Sequence, residues 1–350
     1  MNNNFVYPGH PKEEEYISEV MNIHFDSENG TPYWLDKKKT YDFDPKEDIK
    51  SFASLDKLSE VNQEELIYKR LENFIPKLFS KTDYIVGESS GTTDHKKQIP
   101  WHQKTSDKTV DWYKYNLDLH DFPEGENWMS IGPYGLYEEH MKKTANMRDG
   151  LFYPVAIETR GIKNMADSAG DFKENPWKLW KLYEALKFKN YIEPTFKTAK
   201  EKLETEDIGV VTSAPPFLEI LAEEGFTDFE GVLVSGTGFD AEAYESLDNI
   251  FPNADVVAMY ATSFFGPAFD HPDNDSYVPK YFPYPGRVCL DVVDPETKEP
   301  VDYGERGQVK YDIVEPHFLW PNHYERDSAE KVGPKEPFKW CGVKDIQSLS

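Results

Sequence analysis

The sequence predicts an α/β protein built on a largely parallel sheet, and three observations carry that reading. Short apolar runs at 128–131, 152–157, 208–212, 231–235 and 255–260 have the length and composition of buried strands. Segments with apolar residues at helical spacing alternate with them. Tight small-residue turns join strand to helix, as in βαβ units, which places the expected ligand crevice at the strand carboxyl ends.

Residues 1–54 are polar and aromatic, with turn signals at Glu28-Asn29-Gly30 and Phe43-Asp44-Pro45, and are expected to form an irregular lead-in. Ile67, Leu71, Phe74, Ile75 and Leu78 predict a helix over 55–78, kinked at Pro76. A strand at 84–88 runs into a small-residue loop, and a helix starts near Ser106 with Val110, Tyr113 and Leu117 inward. Strands at 128–131 and 152–157 flank a helix over 137–148. The strand at 208–212 leads into a helix over 215–224, with Pro215 or Pro216 in its first turn where a missing N–H does no harm. The strand at 231–235, a helix over 240–250 and the strand at 255–260 complete the series. Beyond Gly266 the chain turns Pro- and Tyr-rich, and strands at 288–293 and 307–314 predict a β-rich lobe, a small distorted barrel. The expected units are 1–54, the lead-in; 55–205, a first α/β lobe; 206–275, a second; and 276–350, the β-rich lobe.

Composition narrows the partners. The 350 residues carry a net charge of -25, with 64 Asp and Glu against 39 Lys and Arg, and such a surface repels phosphate backbones and anionic membranes. Neither nucleic acid nor membrane is expected as a partner. Two cysteines, Cys289 and Cys341, are too few for a disulfide framework or a thiolate zinc site and fit a reducing cytoplasm. No stretch approaches the ~20 apolar residues that span a bilayer. Only six of the basic residues are Arg, at 70, 148, 160, 287, 306 and 326, so any bidentate clamp must come from that short set.

Ser89-Ser90-Gly91-Thr92-Thr93-Asp94-His95-Lys96-Lys97 has the parts of a phosphate cradle. Glycine lets backbone amides converge, hydroxyls donate to phosphate oxygens, and lysine supplies charge, although a surface turn has the same composition. Ser235-Gly236-Thr237-Gly238 is a second small-residue turn, open enough for a flat ring to lie on its backbone. Tyr260-Ala261-Thr262-Ser263 places a ring and two hydroxyls at the end of the next strand. His102, His120 and His140 read as packing or surface histidines, and no pair has zinc spacing with a third ligand.

In this order the motifs resemble the adenylate-forming superfamily, and within it the phenylacetate-CoA ligase branch with its shorter relatives: the aryl-activating enzymes of phenazine modification, the acyl-protein synthetases of luminescence and the arylcarboxylate reductase components. Residues 90–97 are similar to that family's Ser-Gly-Thr-Thr-Gly-x-Pro-Lys loop, with Asp94 and Lys96 as departures. Residues 260–264 resemble its Tyr-Gly-x-Thr-Glu, with Ala261 and Phe264 departing. Residues 294–301 and 304–308 resemble a Pro-Glu-Thr-Gly-Glu-Pro and Gly-Glu-x-Gly-Glu hairpin, and Tyr324-Glu325-Arg326-Asp327 stands where the family has Tyr-Arg-Thr-Gly-Asp.

The resemblance implies ATP or AMP as ligand, held by Ser89, Ser90, Gly91, Thr92, Thr93 and Lys97 at the phosphates, by Ser235, Gly236, Thr237, Tyr260, Ala261 and Thr262 around the base, and by Asp327 at the ribose. Lys97, Thr92 and Ser263 are the expected catalytic contacts. Arg160, Ala214, Pro215, Phe217 and Gly236 are expected to line the acid site. Magnesium is implied with its ligand unassigned, because Phe264 replaces the usual glutamate. The implied reaction joins a carboxylic acid, taken to be aromatic, to AMP with release of pyrophosphate, followed by transfer to CoA, an amine, a carrier protein or a partner subunit. The alternative is a non-catalytic nucleotide- or aryl-binding member acting as a partner subunit, and a homodimer is left open. The family's mobile carboxyl-terminal domain is expected to be truncated or absent.

Overall fold

The computed structural model describes residues 5–89, 96–157, 189–235, 239–273 and 277–349. Strands β1 (Tyr84–Glu88) and β2 (Gln98–His102) form an antiparallel hairpin of their own. The parallel half of the main sheet contains β3 (Trp128–Gly132), β4 (Phe152–Ala156), β5 (Val210–Ser213), β6 (Gly231–Ser235) and β7 (Asp255–Thr262), in the spatial order β4-β3-β5-β6-β7. Val232 and Val234 face one apolar cluster while Leu233 faces the other, and Val256 and Ala258 alternate with Val257 and Met259 in the same way. Both faces are covered, which is why these strands read as continuous apolar runs.

Helices Pro215–Glu223 and Ala241–Ile250 cover one face through Leu218, Leu221 and Leu247. Helices Gln103–Leu119 and Leu136–Met147 cover the other through Trp112, Tyr113, Leu117, Met141 and Ala145. Pro215 and Pro216 open their helix as expected, and Asp240 caps the next one by accepting from the Ala243 amide at 2.9 Å.

At β7 the sheet changes character. A tight turn over 263–265 reverses the chain into β8 (Gly266–Asp270), antiparallel to β7, with Thr262 paired to Gly266. Thr262 Oγ1 accepts from the amides of Phe264 and Phe265, each at 3.2 Å, and Gly266 takes φ +88°, a conformation glycine adopts without penalty. The sheet continues antiparallel through β9 (Lys280–Pro283), β10 (Val288–Val293), β11 (Arg306–Glu315), β12 (Phe318–Val332) and β13 (Gly342–Ser348), in the order β10-β11-β12-β13-β9-β8. The β-rich region is thus hydrogen-bonded to the parallel half. Asp294 closes the β10–β11 hairpin by accepting from the amides of Glu296 and Thr297 at 2.9 and 2.8 Å.

Three expectations are corrected. The lead-in is helical: Glu13–His24 buries Ile17, Val20, Met21 and His24, one face of a helix, behind a first turn of three glutamates. The kinked helix over 55–78 is instead a set of single turns, Ala53–Lys57, Glu65–Tyr68 and Leu71–Phe74. Leu55, Leu66 and Phe74 reach the core from these single turns and Leu58 and Val61 from irregular backbone between them, whereas Leu78 is 57% exposed; burial along the sheet outweighs local helical spacing. Finally, the small-residue loop leads into a second strand, because Ile99 and Trp101 are fully buried beside β1, and the following helix begins at Gln103.

Candidate functional site

The carboxyl ends of β5, β6 and β7 share one rim of the parallel half, the side on which α/β sheets hold ligands, and the turn after β7 leads from that rim into the antiparallel half. The β1–β2 hairpin is fastened to this rim. Ser263 Oγ donates to the Glu88 carbonyl at 3.0 Å, and Trp101 Nε1 of β2 donates to the Ser263 carbonyl at 3.0 Å. Ser89 and Lys97 close the hairpin loop: the Ser89 amide donates to the Lys97 carbonyl at 3.0 Å, and the Lys97 amide to Ser89 Oγ at 3.1 Å. Ser89, Lys97 and Ser263, three residues expected at a phosphate, therefore share one corner. Ser90, Gly91, Thr92 and Thr93 lie outside the described residues.

Lys97 faces a cleft of about 550 Å³ whose walls include Glu60, Asn62, Gln63, Glu64, His323, Tyr324 and Arg326. Its ammonium donates to Gln63 Oε1 and lies 5.9 Å from the centre of the Phe264 ring. Gln63 Nε2 is 2.7 Å from His323 Nε2, and Trp320 Nε1 donates to His323 Nδ1 at 2.8 Å. Burial lowers the Lys97 pKa; the nearby Glu325 carboxylate opposes the shift and Arg326 adds to it. Burial pushes Glu325 the other way, yet contact with His323, 3.5 Å away, and the Tyr311 hydroxyl at 3.2 Å hold its carboxyl below the usual range and so ionised. The corner thus offers a half-buried cation beside a fixed anion.

Tyr260 and Asp327, expected on the base and the ribose, meet directly. The Tyr260 hydroxyl donates to Asp327 Oδ2 at 2.9 Å, with the Tyr260 ring among Phe265 and Tyr281. Burial, with help from Glu325, raises the Asp327 pKa despite that hydrogen bond. Ala261 is exposed and Thr262 is occupied in capping the turn. Ser235 Oγ is 3.2 Å from the Tyr137 hydroxyl, which is also 2.7 Å from Thr212 Oγ1. Gly236, Thr237 and Arg160 fall outside the described residues.

Of the residues expected to line an acid pocket, Ala214 precedes the first turn of its helix, Pro215 is buried, and Phe217 stacks on Phe196 with ring centres 5.8 Å apart. The histidines pack: His102 stacks on His317 at 3.7 Å, His140 is 2.9 Å from Ser106 Oγ, and His120 is 3.0 Å from the Asp270 carbonyl. Gln63, Tyr137 and His323 escaped the sequence reading. Gln63 is 34 positions from the lysine it holds, a separation no local pattern encodes, whereas the position of His323 beside Tyr324-Glu325 was a usable signal.

No protein-family profile and no curated protein sequence matches the chain. Among solved structures, 2-hydroxyisobutyryl-CoA ligase in an open conformation with 2-HIB-AMP and CoA superposes with TM-score 0.64 at 11% identity, covering 98% of this chain and 79% of that one. The same ligase in its postadenylation state with 2-HIB-AMP gives TM-score 0.65 at 10% identity, covering 97% and 67%. This chain has the adenylate-forming fold. At such identities the likeness is one of fold. No helix among the described residues is long and apolar enough to cross a membrane.

Proposed function

We propose that the protein activates a carboxylic acid with ATP. A carboxylate oxygen attacks the α-phosphorus, the α–β phosphoanhydride bond breaks, and pyrophosphate leaves as the acyl-adenylate forms. The observation that carries this reading is the convergence of Ser89, Lys97 and Ser263 at the carboxyl end of β7 in an adenylate-forming fold. Lys97 would neutralise charge on the transferring phosphates, Ser89 and Ser263 would orient them, and the Tyr260–Asp327 pair would receive the nucleoside. Ser90, Gly91, Thr92 and Thr93 would complete the cradle, and Gly236 and Thr237 the base site.

Phe264 is buried against Trp320 and His323 and offers no oxygen, so a magnesium ion arriving with ATP would take its protein ligand from another position. Lys97 would neutralise phosphate charge beside any such ion.

The structurally similar ligase is described with an acyl-AMP and CoA, which supports a small-molecule acid and makes CoA the first acceptor to try. An aromatic acid is proposed from the Phe196–Phe217 stack beside the rim, and the phenylacetate-CoA ligase-like branch from the motif order. Phe264 favours a second reading, nucleotide binding without chemistry. Pyrophosphate release over a panel of aromatic and aliphatic acids, combined with thermal unfolding in ATP, separates the two. ATP at ~100 times its dissociation constant adds ~2.7 kcal/mol of stability in either case; release without any acid dependence overturns the first reading, and binding without release selects the second.

A further inference from the structure

Arg287 has no place in the reaction just described, yet it is the most deliberately enclosed charge in the site's surroundings. Its side chain is fully buried. The guanidinium lies 3.8 Å from the centre of the Trp101 ring. Nε and Nη2 both donate to the Phe264 carbonyl, at 3.2 and 2.6 Å, while Nη1 pairs with the Glu315 carboxylate. The other oxygen of Glu315 accepts from Thr105 Oγ1 at 2.8 Å. In a chain with only six arginines, this position uses what lysine lacks: a planar fork that reaches two acceptors while its face covers a ring.

Trp101 does the matching work from the hairpin. Its Nε1 holds the Ser263 carbonyl, so two successive carbonyls of the turn, at 263 and 264, are each fixed by one member of a stacked pair. The indole is also clasped between glycines. A Cβ on Gly87 of β1 would lie 3.2 Å from Trp101 Cδ1, and one on Gly266 of β8 would lie 3.1 Å from Trp101 Cη2. Hairpin and turn therefore close on the same ring from opposite ends. A buried ion pair is weak evidence for net stability, since an apolar pair of equal volume does as well; what the polar pair adds is one fixed geometry.

We propose that Arg287 and Trp101 form a brace that sets the distance between Ser263 and the Ser89–Lys97 end of the hairpin, a spacing required for turnover more than for nucleotide affinity. Arg287 is thus a positioning residue acting through Ser263 and Lys97, and its role in turnover rests on the adenylation reading above.

Arg287→Lys keeps the charge and loses the fork, while Trp101→Phe keeps a ring and loses the N–H to Ser263. Arg148→Lys serves as a control, because Arg148 is equally buried but bonds Asp118 and the Phe122 and Pro123 carbonyls. In pyrophosphate release, kcat falls about 100-fold in Arg287→Lys and about tenfold in Trp101→Phe, with KM for ATP within about threefold of wild type. Arg148→Lys lowers Tm yet keeps kcat within about twofold. Unchanged kcat in either brace variant, or an equal loss in the control, overturns the proposal; if Arg287→Lys does not fold, Trp101→Phe decides. A wild type that releases no pyrophosphate with any acid overturns the adenylation reading instead. Hydrogen exchange of the ligand-free protein then judges the brace alone: faster exchange at both 86–89 and 261–265 in the variants supports it, and unchanged exchange there refutes it.

Discussion

Lys97 is held at the site by a neutral amide and lies between opposite charges, so its ammonium is available to a ligand without first breaking an ion pair among the described contacts. Lys97→Ala is expected to cut turnover ~100-fold while leaving the urea midpoint nearly unchanged, since a positioned charge matters more to the transition state than to folding. Asp327→Ala is expected to weaken ATP binding by ~1.5–3 kcal/mol, the range for hydrogen bonds to a charged group, measured by isothermal calorimetry. Away from the site, Asp312 is buried, and its carboxyl is raised from 3.8 to about 6 chiefly by burial, against the pull of Lys310 3.8 Å away. A raised carboxyl favours folding most fully below its unfolded value, and that contribution is lost as pH climbs through about 6. Asp312→Asn should therefore stabilise the protein by ~1–3 kcal/mol at pH 8, allowing for the partner Lys310 loses, and the gain should shrink toward pH 5 in denaturant titrations. Which residues these would be was half legible. Lys97, Tyr260 and Asp327 stand in recognisable motifs, but Gln63, Tyr137 and Arg287 become partners only through chain reversals that bring distant segments together.

Elements built on short-range rules followed the sequence closely. The parallel strands announced themselves as apolar runs because both faces are buried, and the helix starts at Pro215 and Asp240 were marked by residues that suit a first turn or a cap. The turn from β7 to β8 is the element on which the site depends, and Gly266 is its constraint. At φ +88° with Trp101 3.1 Å from the missing Cβ, Gly266→Ala meets both backbone strain and a collision with the indole. A loss of ~1–3 kcal/mol is expected in urea unfolding, with turnover falling by more than the stability loss explains because the same ring anchors Ser263. The lead-in and the 55–78 segment were misread for one reason. Helical spacing was present in both, and only packing against the rest of the chain decides whether it is used, as in Glu13–His24, or dissolved into single turns.

For the whole molecule, a net charge of -25 means that folding gathers negative charge, so Tm is expected to rise as salt is increased from ~10 mM to ~150 mM, where the screening length falls from ~30 to ~8 Å. A flat salt response in thermal unfolding would contradict that account. The sequence by itself determined the alternation of strand and helix and the order of the motifs, because these depend on local periodicity and adjacency along the chain. Only the tertiary structure decided that the hairpin carrying Ser89 and Lys97 is two-stranded, that β7 turns back at Ser263 to switch the sheet from parallel to antiparallel, that Tyr260 and Asp327 meet across 67 positions, and that Arg287 and Trp101 join the turn to the hairpin. Those contacts join segments far apart in the chain, and their energy exists only once the core has closed around them, so no local pattern of residues could have carried them.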